Sequence, residues 1–198
     1  MNELKKYELT DETKEVKRPF NCFVLHRIRA LKDFGDVHAG DLGGWVESEE
    51  NLSHSGDAWV YTEAEIFGHA TIFENAKISG HAAIFENAKI SGHAAIFENA
   101  KIFGHAVIFE NAEISGHAEI TKATDILTIS PIGSRNDTIT FYKSKNNKIF
   151  VKCGCKNTDI DTWLAMVEKT HGNNKHGQAY RLAAQIAKLQ IKLTEESE

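Results

Sequence analysis

The chain has 198 residues, 41% hydrophobic and 26% charged, with a net charge of −5, which is ordinary for a globular protein with room for one or two cores. No apolar run approaches the ~18–20 residues that span a bilayer. The first twenty residues lack the apolar stretch of a signal peptide, and three cysteines make no even disulfide framework, so a cytoplasmic protein with no membrane attachment is expected. Residues 1–125 carry 12 Lys+Arg against 21 Asp+Glu, a balance of −9, and residues 126–198 carry 11 against 7, a balance of +4. Without one strongly basic face, nucleic acid is not the expected partner.

In chain order, residues 1–45 read as a β cap. "FNCFVLHRIRAL" (Phe20–Leu31) is strand-like, and "KDFGDVHAGDLGGWV" (Lys32–Val46) is rich in turn residues. Residues 46–126 are a repeat. Isoleucine recurs every six residues from Ile66 to Ile126, and alanine every six from Ala64 to Ala118. A helix of 3.6 residues per turn would scatter a period of six over all its faces. Short strands joined by tight corners keep it on one side. Three six-residue sides make an 18-residue coil, which predicts a left-handed parallel β-helix with Ile and Ala inside and coils ~4.8 Å apart. Its unpaired end strands need covers, which the segments before and after the repeat can supply.

The repeated unit is twelve residues long, as in "GHAAIFENAKIS" from Gly80, so each residue stacks on the one 18 positions later. Histidines then alternate with asparagines along each corner, about 9–10 Å apart, too far to share a metal ion. Each Phe follows its Ile and points outward. Phe67, Phe85 and Phe103 fall in one column, whereas Phe73, Phe97 and Phe109 stand in interrupted ones. A continuous apolar stripe predicts an interface. The Phe67/Phe85/Phe103 face is expected to meet another subunit or a protein partner, or to be covered by the C-terminal segment. The corner carboxylates Glu74, Glu86, Glu98 and Glu110 add an acidic binding surface.

"LHRIRALKDFGDVHAGDLGGWVESEENLSHSGDAWV", running into tandem Gly-His-Ala-x-Ile units, resembles the N-terminal block of YdcK-like hexapeptide-repeat proteins of bacteria and their phages. The resemblance covers about residues 20–126. It implies a left-handed β-helix and carries no settled activity with it.

Residues 127–198 change character and predict a small α+β head. Strands are expected at about 125–130, 138–143 and 148–153, then a helix capped by Thr158 and ended by Gly172, then a second helix over Gly177–Leu193. On the second helix the apolar stripe is Tyr180, Ala183, Ile186 or Ala187, and Leu189 or Ile191. Two head features could bind ligands. The loop Gly133, Ser134, Arg135 and Asn136 has the glycine and donors of an anion or nucleotide site, or is a plain turn. Cys153, Cys155, His171 and His176 form a zinc-like donor set, although C-x-C is an unusual spacing for it. No other cofactor is implied.

The function read from these features is a non-enzymatic interaction scaffold. A rigid acidic β-helix presents a binding surface and a head, and a phage-type inhibitor of a host or defence protein is the specific form. The alternative is a CoA-dependent hexapeptide-repeat acyltransferase with a histidine base, in which sites usually lie between subunits under an inserted loop. Here Ile66 to Ile126 runs without an insertion. The other alternative is an anion-binding head.

Overall fold

The computed structural model describes residues 5–193. Two long antiparallel strands, β1 (Tyr7–Lys17) and β2 (Cys22–Ala30), lead into β3 (Leu42–Val46). The solenoid follows as short strands: β4 (Trp59–Val60), β5 (Glu65–Ile66), β6 (Thr71–Ile72), β7 (Lys77–Ile78), β8 (Ala83–Ile84), β9 (Lys89–Ile90), β10 (Ala95–Ile96), β11 (Lys101–His105), β12 (Val107–Ile108), β13 (Glu113–Ile114) and β14 (Glu119–Lys122). They stack in three parallel sheets, β3-β5-β8-β11-β14, β4-β7-β10-β13 and β6-β9-β12. Five layers on the first face make about four coils, so the parallel β-helix read from the period of six is the observed fold.

Register is 18 residues, as in Glu65 on Ala83 and Lys77 on Ala95. The first coil departs from it. Trp45 pairs with Glu65 and Leu52 with Ile72, both 20 residues apart, whereas Trp59 pairs with Lys77 at 18. Two extra residues therefore sit between Leu52 and Trp59, at the corner holding His54 and Gly56, which is why the repeat fades there in the sequence. Inside, every Ile of the six-residue period from Ile66 to Ile120 and every Ala of that period from Ala64 to Ala118 is at most 2% exposed. Each buried Ile is worth roughly 1.5–3 kcal/mol before entropy.

Each coil's N–H groups bond the carbonyls of the next coil, as in Lys77 N to Ala94 O at 2.9 Å and Lys101 N to Ala118 O at 2.9 Å. The carbonyls of the first coil therefore face the N-terminal end with no coil beneath them, and buried backbone groups must find partners. Lys6 and Tyr7, both fully buried, fill that role. Lys6 Nζ donates to Ala58 O at 2.8 Å and Gly56 O at 3.2 Å. Tyr7 Oη donates to Leu52 O at 2.7 Å. Burial pulls the Lys6 ammonium down to a pKa of about 8, against the raising effect of Asp57, and pushes the Tyr7 phenol above its ordinary range.

The far end is closed by an antiparallel sheet, β15 (Ile126–Ile132), β16 (Asp137–Lys143), β17 (Ile149–Cys153) and β18 (Lys156–Asp159), followed by α1 (Ile160–His171) and α2 (Lys175–Gln190). Thr140 Oγ1 accepts from Glu113 N at 3.2 Å, and buried Tyr142 donates to Ser115 O at 3.2 Å and Asn157 Oδ1 at 2.6 Å. Tyr142 belongs to the same apolar cluster as the solenoid interior. A second cluster joins Phe141, Val151, Ile160, Trp163, Tyr180 and Ala187 between sheet and helices.

Several local expectations are corrected. A fourth strand, β18, occupies residues placed before the first helix, because the Cys153–Cys155 segment turns back and Val151 pairs with Thr158. The cap of α1 is Asp159, not Thr158: its carboxylate accepts from Asp161 N and Thr162 N. The second helix starts earlier, at Lys175, capped by Asn174. On it, Ala187 and Ile191 are buried, while Ile186 is 49% and Leu189 72% exposed.

Candidate functional site

The predicted aromatic column is present. Phe67 and Phe85 stack with centroids 5.0 Å apart and planes 2° apart, and Phe85 and Phe103 at 4.9 Å and 3°. A residue repeated every 18 positions in a parallel stack inherits the coil spacing, so its rings must lie parallel near 4.8 Å. Its cover differs from the one expected. The N-terminal hairpin, and not the C-terminal segment, lies over Phe67. Strand β2 pairs with β3, His26 opposite Val46, and its first residues run on past the corner where the coil turns away. Phe23 lands on Phe67 at 4.9 Å, and Leu25, Trp45 and Phe67 form a small buried cluster.

The hairpin tip reaches further up the column. Arg18 and Asn21 close the turn through Arg18 N to Asn21 O at 2.8 Å. The Arg18 guanidinium lies over both rings, 5.3 Å from the Phe67 centroid and 4.7 Å from that of Phe85, a favourable contact for a cation on an aromatic face. Its Nε is buried with no hydrogen-bond partner. Phe20, at the tip, is 96% exposed. Between tip and column lies a groove of about 480 Å³, lined by Arg18, Pro19, Phe20, Phe23, Phe67 and Phe85, with His69 and Glu86 on its rim. Phe103 continues the column beyond the hairpin, half-buried. Sequence reasoning missed Arg18 and Phe20. The available signal was "RPFN", a turn with Pro at its second position between two alternating segments.

Phe73 and Phe97 are half-buried and Phe109 is 55% exposed, each outside the column. Lys152 Nζ lies 5.5 Å from the Phe97 ring centroid, so the head partly covers that side chain.

The corner glutamates have a structural role beside their exposure. Glu74, Glu86, Glu98 and Glu110 all sit at φ between 58° and 63°, and the intervening corners carry glycine at positive φ. The 18-residue stack places each glutamate against a glycine. The Glu86 carboxylate accepts from Gly104 N at 2.9 Å, and that of Glu74 from Gly92 N at 2.5 Å. A Cβ on Gly80 would stand 2.6 Å from Glu98 N, so side chains cannot occupy this corner in every layer. The corner histidines His69, His81, His93, His105 and His117 are exposed. Backbone N–H groups of His81 and His93 donate to Glu98 O and Glu110 O, both at 2.7 Å, and no side-chain hydrogen bond holds a corner imidazole among the described residues. They stand as solvent-facing corner side chains.

In the head, Gly133, Ser134, Arg135 and Asn136 form the β15–β16 turn, with Gly133 at φ 76° and Asn136 at φ 50°. Gly133 packs against the Tyr180 ring and hydroxyl; Ser134, Arg135 and Asn136 are exposed. The four donor residues proposed for zinc do not converge. Burial pushes the Cys153 thiol up, and the Tyr180 ring lies 5.5 Å from that of His171. Among the described residues no group of three or more His, Cys, Asp or Glu is placed to hold a metal ion. Among the described residues no helix is long and apolar enough to cross a membrane.

No family model matches the chain. Among curated proteins it is similar to the uncharacterized acetyltransferase YdcK of Escherichia coli (strain K12), at 36% identity over 76 residues, covering 34% of this chain and 22% of that protein. The chain thus matches about a fifth of its curated relative's length. Together with the stacked coils, this likeness fits a hexapeptide-repeat type of protein.

Proposed function

We propose that the protein is a non-enzymatic interaction scaffold, and that the groove between the hairpin tip and the aromatic column is where a protein partner binds. The observation carrying this reading is Phe20, an almost fully exposed aromatic held at a closed turn beside an ordered ring column. Apolar anchors next to Arg are the residues that dominate protein interfaces. The resemblance of the N-terminal block to phage-borne proteins makes a host or defence protein the partner class to capture first. The test is affinity capture from the source cell with wild type and with Phe20→Ser plus Phe103→Ser. A protein held by wild type and lost from a variant of equal melting temperature supports the reading. The same proteins on both baits would remove it.

The likeness to a protein named as an acetyltransferase favours a second reading, acyl transfer from CoA. Against it stand the uninterrupted coils and the unheld corner histidines. Calorimetry with acetyl-CoA discriminates: the scaffold reading expects no binding heat, and saturable binding would replace it with the enzyme.

A further inference from the structure

We propose that Cys153 and Cys155, carried by the turn between β17 and β18 with the Arg135 guanidinium beside them, form a reversible dithiol–disulfide site that exchanges with small disulfides of the glutathione class. This goes beyond the groove and does not depend on it. Cys153 ends β17 and pairs with Lys156, the first residue of β18. Only Gly154 and Cys155 lie between them, and Gly154 takes the left-handed conformation, φ 55°, that so tight a turn asks of a glycine. Two Cα steps of about 3.8 Å, bent around such a turn, keep the cysteine Cα atoms within the roughly 4.4–6.8 Å that a disulfide bridges.

The two thiols differ in the way an exchanging pair needs. Cys155 is exposed, and Cys153 is half-buried against the apolar cluster of the head. Burial, and after it Asp137, push the Cys153 thiol up. Cys155 is therefore the thiol that meets a disulfide from solution, and Cys153 the one that resolves. The β15–β16 turn supplies a cation. A Cβ on Gly154 would stand 3.6 Å from Arg135 Nη1, so that guanidinium lies against the backbone joining the two cysteines. Among the described residues no carboxylate pairs with it. A cation so placed favours a thiolate. The exchange has two steps. The Cys155 thiolate attacks one sulfur of the small disulfide, forming a mixed disulfide and releasing one small thiolate. Cys153, its proton given to solvent, then attacks Cys155 Sγ and expels the second. The two protein thiols lose two electrons and two protons, and the small disulfide is reduced to two thiols.

Mass spectrometry of the folded full chain, equilibrated in glutathione redox buffers, tests this. Cys22→Ser is the background, because Cys22 is also exposed. Free thiols are alkylated after an acid quench, and trypsin, cutting after Lys152 and Lys156, releases Cys-Gly-Cys-Lys. That tetrapeptide should emerge unalkylated and lighter by two hydrogens from oxidising buffer, and doubly alkylated from reducing buffer. The folded turn should make ring closure about tenfold or more favourable than in the free tetrapeptide in the same buffer. Cys153→Ser should hold glutathione on Cys155, and Cys155→Ser should leave the Cys153 thiol unmodified. Arg135→Ala should slow the first step about two- to threefold at neutral pH, a difference that salt shrinks and Arg135→Lys restores. A mixed disulfide that accumulates without closing overturns the proposal. So does a ring no more favourable than in the free tetrapeptide, or disulfides formed only between chains. A first step unchanged by Arg135→Ala overturns the part assigned to Arg135.

Discussion

At residue scale, Lys6 joins the fold to pH. It is fully buried with its ammonium on two carbonyls and has a pKa of about 8 in the folded chain, against 10.5 for an ordinary lysine. Between these values the unfolded chain holds the extra proton, so stability rises with pH. Tyr7 and Tyr61 are raised above 10 and act with the opposite sign at higher pH, since the folded chain then holds the extra proton. The window is therefore pH 8 to 10, with a gain of roughly 2–3 kcal/mol. Urea midpoints measured across that range should climb in wild type and stay level in Lys6→Met. At the coil corners, Gly80→Ala should lower stability by about 1–3 kcal/mol or more, because it adds backbone strain to a close contact with Glu98; thermal unfolding reads this directly. The phenylalanines separate in the same way. Phe67→Ala, at 1% exposure, should cost about 3–5 kcal/mol, whereas Phe109→Ala, at 55%, should stay within about 0.5 kcal/mol.

At the scale of elements, the hairpin β1–β2 lends the molecule part of its core while leaving its tip in solvent. Arg18→Ala should raise amide exchange at residues 18–21 and leave the coil amides protected, since that guanidinium lies over two rings of the column. Which elements could be read beforehand follows from where their specification lies. Ile66 to Ile126 and the ring column were legible because a coil of 18 turns sequence spacing directly into neighbours. Strand β1, "YELTDETKEVK", was not read, because ten of its eleven residues are partly or fully exposed and its apolar positions at Leu9 and Val16 are few. Its partner on the column, Phe67, lies some fifty residues away, with no periodicity linking them. Strand β18 was hidden for a related reason: "KNTD" carries no apolar signal, and it pairs because Gly154 turns the chain back on β17. On α2, alanine at 183, 184 and 187 faces the sheet and leucine at 182 and 189 faces out. Apolarity alone points the other way there; the limited room beside Trp163 and Tyr180 decides it.

At the scale of the whole molecule, both ends of the stack are finished, one by Lys6 and Tyr7 and the other by Thr140, Tyr142 and Asn157. The solenoid therefore has no bare rim to recruit another solenoid. A chain cut after residue 126 should lose that property and associate end to end, seen as growing scattering mass where the full chain keeps a discrete size. The near-identity of successive twelve-residue units has a different kind of consequence. Twelve residues are two-thirds of an 18-residue circuit, and the pattern of glycine over glutamate is unchanged when one unit is lost or gained. Recombination between copies would leave every layer well packed while swinging the head two-thirds of a revolution around the axis relative to the hairpin groove. Three units, two whole circuits, would bring it back into line at a greater height. The repeat thus works as a dial with three settings, by which copy number sets the bearing between the two ends of the protein.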